Sequence, residues 1–300
     1  MEENKPKLSF DDLFNKLDER GISNKFHTKE QIIEIFSERN YYYRLISYRK
    51  NYRKNTKSNK YIGLDFKALE DLASIDTYLR EYLLHLCLDI EHLLKTKLMT
   101  HITFNSSEDG YNLVSDFEKL FPEQFNKSKM QFEKNNYKKD MFQKRTITSV
   151  WVFLEIIDFG TLIKFIRFYT EKYPEFESII KYKHLYFIKN IRNACAHNDV
   201  FLINLFHPTS EMKYRNPVVV SFASLMNIEN KYLIYNKIND IVMLHFLHNK
   251  FSSSSLRNRR IKEGQLVLER FKNNIFIHTH SSDVHQFLKI FSKCVDYHTQ

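Results

Sequence analysis

DFKALEDLASIDTYLREYLLHLCLDIEHLLKTKLMTH, Asp65 to His101, is the stretch on which the fold turns. Leu72, Leu79, Leu83, Leu86, Ile90, Leu93 and Leu94 recur at helical spacing, while Arg80, Glu81, Asp89 and Lys97 stand elsewhere around the cylinder. Asp65 is placed to cap the start. At 1.5 Å per residue the element would span roughly 50 Å, long enough to be the backbone of a bundle. The spacing of 79, 83, 86, 90 and 93 is also that of a coiled coil, but ordinary bundle packing accounts for it.

The composition points the same way. Five Gly and five Pro in 300 residues disfavour a turn-rich all-β fold, and 43% hydrophobic with 15% aromatic residues argues against disorder. The expected fold is all-α, a mostly helical bundle with a long central helix. It leaves room for a few short strands in the C-terminal region, where Val218 to Phe222 (VVVSF) is the best strand candidate. Three cysteines at wide spacing (Cys87, Cys195, Cys294) offer neither a disulfide framework nor a zinc finger and suit a reducing cytoplasm. No apolar run approaches the roughly 18 to 20 residues of a membrane span, so a membrane partner is not expected.

Outward from the long helix, Ser9 with Asp12 and Thr28 with Gln31 read as helix starts, the first helix ending at Gly21. Asn105 to Gly110 is a polar break, and Asn126 to Arg145 a basic, poorly periodic segment expected to be a flexible excursion or a frayed helix. Ser149 to Leu162 (SVWVFLEIIDFGTL) reads as a buried helix broken at Gly160, with a further helix after it. Asn216-Pro217 marks a turn; Asp240 to Lys250, Gln265 to Phe271 and Asp283 to Cys294 read as helices. Ser252 to Ser255 with Arg257, Arg259 and Arg260 is expected to be a basic link. The divisions expected are 1–206, a helical domain, and 207–300, a C-terminal extension packed on it.

The net charge of +10, from 46 Lys plus Arg against 36 Asp plus Glu, suits a polyanionic partner, though clustering says more than the total. Two clusters stand out. Tyr41 to Lys60 (YYYRLISYRKNYRKNTKSNK) holds Arg44, Arg49, Lys50, Arg53, Lys54, Lys57 and Lys60 and no acid. Interleaved Tyr and Lys/Arg can stack bases and neutralise phosphates; equally, Tyr41 to Tyr43 and Leu45 can be core beside a solvated loop. The other cluster is KNIRNACAHND, Lys189 to Asp199. On a helical wheel His184, Ile188, Ile191 and Cys195 fall within about 60° of one another as a buried stripe. Tyr186, Asn190, Asn193 and His197 form a polar row opposite, with Arg192 at the edge between. A His that moves protons near neutral pH, beside a guanidinium that holds charge on phosphate oxygens, suits a phosphodiester. The alternative is a capped helix end with a solvent-facing His.

Four ordered motifs resemble one family. Asn40 to Tyr48 (NYYYRLISY), the helix Ile75 to Leu98, Trp151 to Leu162 (WVFLEIIDFGTL) and Ile191 to Asn204 resemble the motifs of the bacterial Abi-like proteins of abortive infection against phage, themselves similar to HEPN-domain ribonucleases. The resemblance implies a HEPN-like helical domain and a metal-independent endoribonuclease that cuts RNA by 2′-hydroxyl attack and needs no cofactor. It assigns Arg192 to charge stabilisation, His197 to proton transfer and Asn193 to orienting them, and implies a homodimer in which two such helices face each other. Arg44, Arg49, Lys50, Arg53, Lys54 and Lys189 are candidate RNA contacts. A non-catalytic module holding a non-coding RNA through the Tyr41–Tyr61 segment is the alternative. Two departures are Ser47 in place of a Gly, and Asn198-Asp199-Val200 in place of His-x-Arg after the candidate His. His245 with His248, and His278 with His280 and His285, lack a completing Cys or carboxylate, so no metal site is expected.

Overall fold

Thirteen α-helices and no sheet are found among residues 6–138, 144 and 147–297, the part of the chain described by the structure, a computed structural model. Three isolated bridges, Ser23 with Asp65, Lys54 with Tyr61 and Glu211 with Tyr235, are the extended pairings among these residues. The all-α expectation holds. The chain forms two compact units: the described residues up to Leu86 together with those from Ile191 onward, and Cys87–Asn190.

The first unit begins with α1 (Phe10–Glu19) and α2 (Lys29–Glu34), each started by the capping box read in the sequence at Ser9/Asp12 and Thr28/Gln31. A π-helical turn, Ile35–Arg39, leads into α3 (Tyr42–Ser47) and a 3₁₀ turn, Tyr48–Asn51. The long helix α4 (Phe66–Phe104) follows Asp65, which takes the Lys67 N–H at 2.9 Å and ties back to the Ser23 hydroxyl at 2.6 Å. Its leucines at 72, 79, 83 and 86 are fully buried.

The unit is completed by α10 (Pro217–Leu225), α11 (Asn236–Phe251), α12 (Ser254–Asn273) and α13 (Ser282–Tyr297). The strand expected at Val218–Phe222 is helix. Asn216 accepts the Val218 N–H at 3.0 Å as N-cap and Pro217 takes the first position, while Val219, Ala223 and Met226 are buried at helical spacing. Burial on one side outweighs the β-branched preference. The basic link is also shorter than expected: Ser253 caps α12, so Arg257, Arg259 and Arg260 lie on that helix. Gly264 lets α12 come close, since a Cβ there would sit 2.9 Å from Val295 and 3.1 Å from the Tyr82 hydroxyl.

In the second unit α5 (Asn112–Leu120), α6 (Pro122–Glu133), α7 (Val150–Ile156) and α8 (Phe159–Lys172) surround Phe117, Phe153 and Phe165, whose rings lie 5.1–5.3 Å apart. Gly110, in the expected polar break, has φ +79 and abuts the Trp151 ring, where a Cβ would meet Cζ3 at 2.6 Å. Residues 126–133 of the basic segment are regular helix; residues 139–143, 145 and 146 lie outside the described residues. The break expected at Gly160 falls earlier, at Ile157–Asp158, because Asp158 caps α8 by accepting the Thr161 N–H at 2.7 Å. The units divide within two helices, α4 after Leu86 and α9 (Leu185–Ala196) after Asn190, so residues 87–104 of α4 belong to the second unit.

Candidate active site

Isoleucines 188 and 191 and Cys195 are buried along α9, His184 is half-buried, and Tyr186, Asn190 and His197 are exposed, so the two rows of the wheel are real faces. Burial pushes the Cys195 thiol up to about 12, which leaves it a packing group rather than a thiolate. Arg192 is half-buried, and its Nε is buried with no hydrogen-bond partner. His197 stands one residue beyond the helix.

The way α9 ends decides where His197 points. His197 N–H still bonds to the Asn193 carbonyl at 2.9 Å; Asn198, at φ +58, donates to Cys195 O at 3.1 Å, and Asp199 N–H reaches Ala194 O at 2.9 Å. This pair of bonds around a left-handed residue is a Schellman motif, with His197 as the C-cap. Asn tolerates the left-handed region better than other side-chain-bearing residues, which gives a local reason for Asn198 where the family pattern has His.

Asn198 is then gripped from two other elements. Arg44 of α3 donates to its carbonyl at 2.5 Å and its side-chain oxygen at 3.2 Å; Arg80 of α4 donates to that same Oδ1. Arg80 is held in turn by Asp76 at 3.0 Å and by the Thr77 hydroxyl at 3.1 Å. Asp76 is wholly buried and accepts four groups: Arg80, the Tyr48 hydroxyl at 2.9 Å, and the backbone N–H groups of Phe201 and Leu202 at 3.0 and 2.7 Å. Burial and the Asp76 charge push the Tyr48 hydroxyl far above its ordinary range, so it stays a neutral donor. Asn51 donates to Leu202 O at 2.6 Å, and Lys237 of α11 to the carbonyls of Phe201 and Ile203 at 2.7 and 2.8 Å. Burial lowers Lys237 to about 8.

A helix C-terminus carries partial negative charge and repels a phosphate. The two guanidiniums over Asn198 offset that charge beside His197, while Asn193 and His197 keep side chains that bond to nothing among the described residues. The loop is therefore fixed, and the chemically able groups are left free.

The other candidate residues are placed differently. Arg49 turns back on the Ile46 carbonyl at 2.6 Å. Lys50, Arg53 and Lys54 are exposed; Lys54 meets Asn59 at 3.0 Å and lies 5.2 Å from the Tyr61 ring centroid, closing an ordered turn through the Lys54–Tyr61 bridge. Lys189 belongs to the second unit, where its Nζ crosses Gly160 so closely that a Cβ would lie 3.4 Å away. Ser47 has φ −64, so the position does not require Gly, and its hydroxyl donates to Arg44 O at 2.6 Å.

Sequence reasoning missed Asp76, Arg80, Asn198 and Lys237. The signal available was an Asp76/Arg80 pair at i, i+4 on a helix whose other repeating positions are apolar. Of the five clustered histidines, His245 and His278 are buried in hydrogen bonds: His245 bonds to Ile241 O at 2.9 Å, and His278 links Asp71 at 2.9 Å with the Tyr52 hydroxyl at 2.7 Å. Among the described residues no group of three His, Cys, Asp or Glu side chains is placed to hold a metal ion, and no helix is long and apolar enough to cross a membrane.

Apart from Lys237, the residues that build this clamp fall within one match: the family described as Abi-like protein fits residues 36–203, more than half of the chain. The chain belongs to the Abi-like family. All four motifs lie inside that match except the last residue of the fourth, Asn204. No curated protein and no solved structure matches this Abi-like chain. Family membership points to abortive infection, a phage-defence response.

Proposed function

We propose that this Abi-like protein is a HEPN-type endoribonuclease of phage defence, cutting RNA without a metal ion. The observation that carries the reading is the buried, unsatisfied Arg192 Nε together with an exposed His197, five residues on, at a helix end held by Arg44 and Arg80. A buried N–H left without a partner costs about 1–3 kcal/mol, which a phosphate oxygen would recover. In the reaction His197 takes the proton of an RNA 2′-hydroxyl. The 2′ oxygen attacks the adjacent phosphorus, the P–O5′ bond breaks as the 5′ oxygen takes a proton from the His197 of a facing copy, and a 2′,3′-cyclic phosphate and a 5′-hydroxyl result. Arg192 holds the charge on the non-bridging oxygens and Asn193 orients the pair. A second copy of the chain, facing α9 across a twofold axis, would supply the second His.

The purified protein should cleave RNA in the presence of EDTA. His197→Ala should lower the rate by about 10²–10⁴-fold and Arg192→Ala by about 10²–10³-fold. Equal cleavage by the His197 variant would sink the proposal. The exposed turn holding Arg53 and Lys54 favours the alternative, a module that only binds RNA. It is the better reading if neutralising Arg49, Lys50, Arg53 and Lys54 abolishes RNA binding in a protein that never cleaves.

A further inference from the structure

A cleft of about 620 Å³, within the size range of small-ligand sites, lies on the first unit where the π-turn after α2 and the end of α12 meet α4. Arg39, Lys67 and Arg270 bring positive charge to it. Its two acids are already committed. Glu70 is paired with Lys67 at 2.7 Å and His27 at 3.2 Å, and Asp71 gives its oxygens to Asn274 at 2.6 Å and His278 at 2.9 Å. Arg270 meets no carboxylate among the described residues; it donates to the Ser74 hydroxyl at 2.9 Å and lies 5.6 Å from the centroid of the half-exposed Tyr78 ring. Arg39 keeps looser contacts, 3.3 Å to Glu34 and 3.8 Å to Glu70. Asn40 lines the cleft with a side-chain amide that bonds to nothing described, and the Asn274 amide also lines it, from just beyond α12.

A guanidinium without a carboxylate partner and amides able to read a polar edge match the phosphate and the base edge of a nucleotide. The cleft also adjoins the clamp: Thr77 lines it and accepts from Arg80 Nη2 at 3.1 Å, and Leu45, next to Arg44, forms part of its wall. We propose that this cleft binds one nucleotide, its phosphate on Arg270 and Arg39 and its base edge on Asn40 and Asn274. Two sources share that chemistry, an unstacked residue of a bound RNA strand and a free mononucleotide. The strand version rests on the RNA reading of the His197 site; the cleft itself does not.

The test uses the full chain carrying His197→Ala, titrated with AMP and UMP by calorimetry and with a labelled single-stranded RNA by fluorescence anisotropy. Arg270→Gln, and Arg39→Gln with Arg270→Gln, are then compared with it, with melting temperature as the control for folding. Loss of one charge-assisted contact should weaken binding about tenfold at unchanged melting temperature. Loss for RNA alone identifies a strand residue; loss for AMP or UMP identifies a free nucleotide. Binding of every probe unaltered by both variants, or no probe bound by the parent, overturns the cleft. Cleavage by the wild type with unaltered binding in the Arg270 variants removes the cleft and leaves the nuclease reading standing. Mononucleotide binding that needs Arg270, in a chain that neither binds nor cuts RNA, does the reverse.

Discussion

Asn198 carries two demands at once, a left-handed backbone and an anchor for Arg44 and Arg80. Substitutions separate them. Asn198→Gly keeps the backbone and drops the side-chain anchor, whereas Asn198→Ala drops the anchor and adds about 1 kcal/mol of strain. On the proposed reading, Gly should lower kcat with little change in KM or melting temperature, and Ala should lower melting temperature as well. Full kcat in the Gly variant would show that the guanidiniums do not position His197. His245 makes a second prediction at this scale. Burial lowers it to about 4, below its ordinary 6.5, so between these values the unfolded chain binds a proton that the folded chain refuses. Its contribution is present above pH 6.5 and is lost as pH falls to about 4, up to ~3 kcal/mol. Urea unfolding of wild type against His245→Leu should show the wild type losing ground over that window; parallel pH profiles would remove His245 as the cause.

At the scale of elements, helix starts are readable where a capping side chain sits beside its own helix. Ser9, Thr28 and Asp65 are of this kind, because the bonds they make span two or three residues. VVVSF reads as a strand and folds as a helix because its local preference and its burial disagree, and burial belongs to the packed unit. Asn216 is the residue that tips it. Asn216→Ala should cost about 1 kcal/mol and lower melting temperature, and proteolysis near residue 217 should increase. No change in either would mean that packing alone holds α10. The same logic moves the break at Gly160 to Asp158: a glycine's freedom suggests a break, but the carboxylate's bond to Thr161 starts the helix, and Gly160 is small where Lys189 passes.

At the scale of the whole molecule, the first unit joins residues up to Leu86 with residues from Ile191 onward. The clamp around Asn198 is made of such pairs, 154 residues apart for Arg44 and 118 for Arg80. One Arg192/His197 set per chain leads us to expect a working homodimer. Sedimentation should give twice the chain mass, and cleavage per mole should fall on dilution below the dimer's dissociation constant. A monomer that cleaves at full rate would overturn it.

The sequence by itself determined the all-α class, the two faces of α9 and the chemical kinds at Arg192, Asn193 and His197, because these follow from periodicity and side-chain type. The tertiary structure decided which groups are free. Arg44 is a candidate RNA contact by composition, yet its guanidinium is bound to Asn198. Asp76 is one more charge on a long helix in the sequence, yet it is fully buried and joins the turn after α3, α4 and the loop after α9. A buried charge survives only with several partners, and here those partners come from distant parts of the chain that only folding brings together.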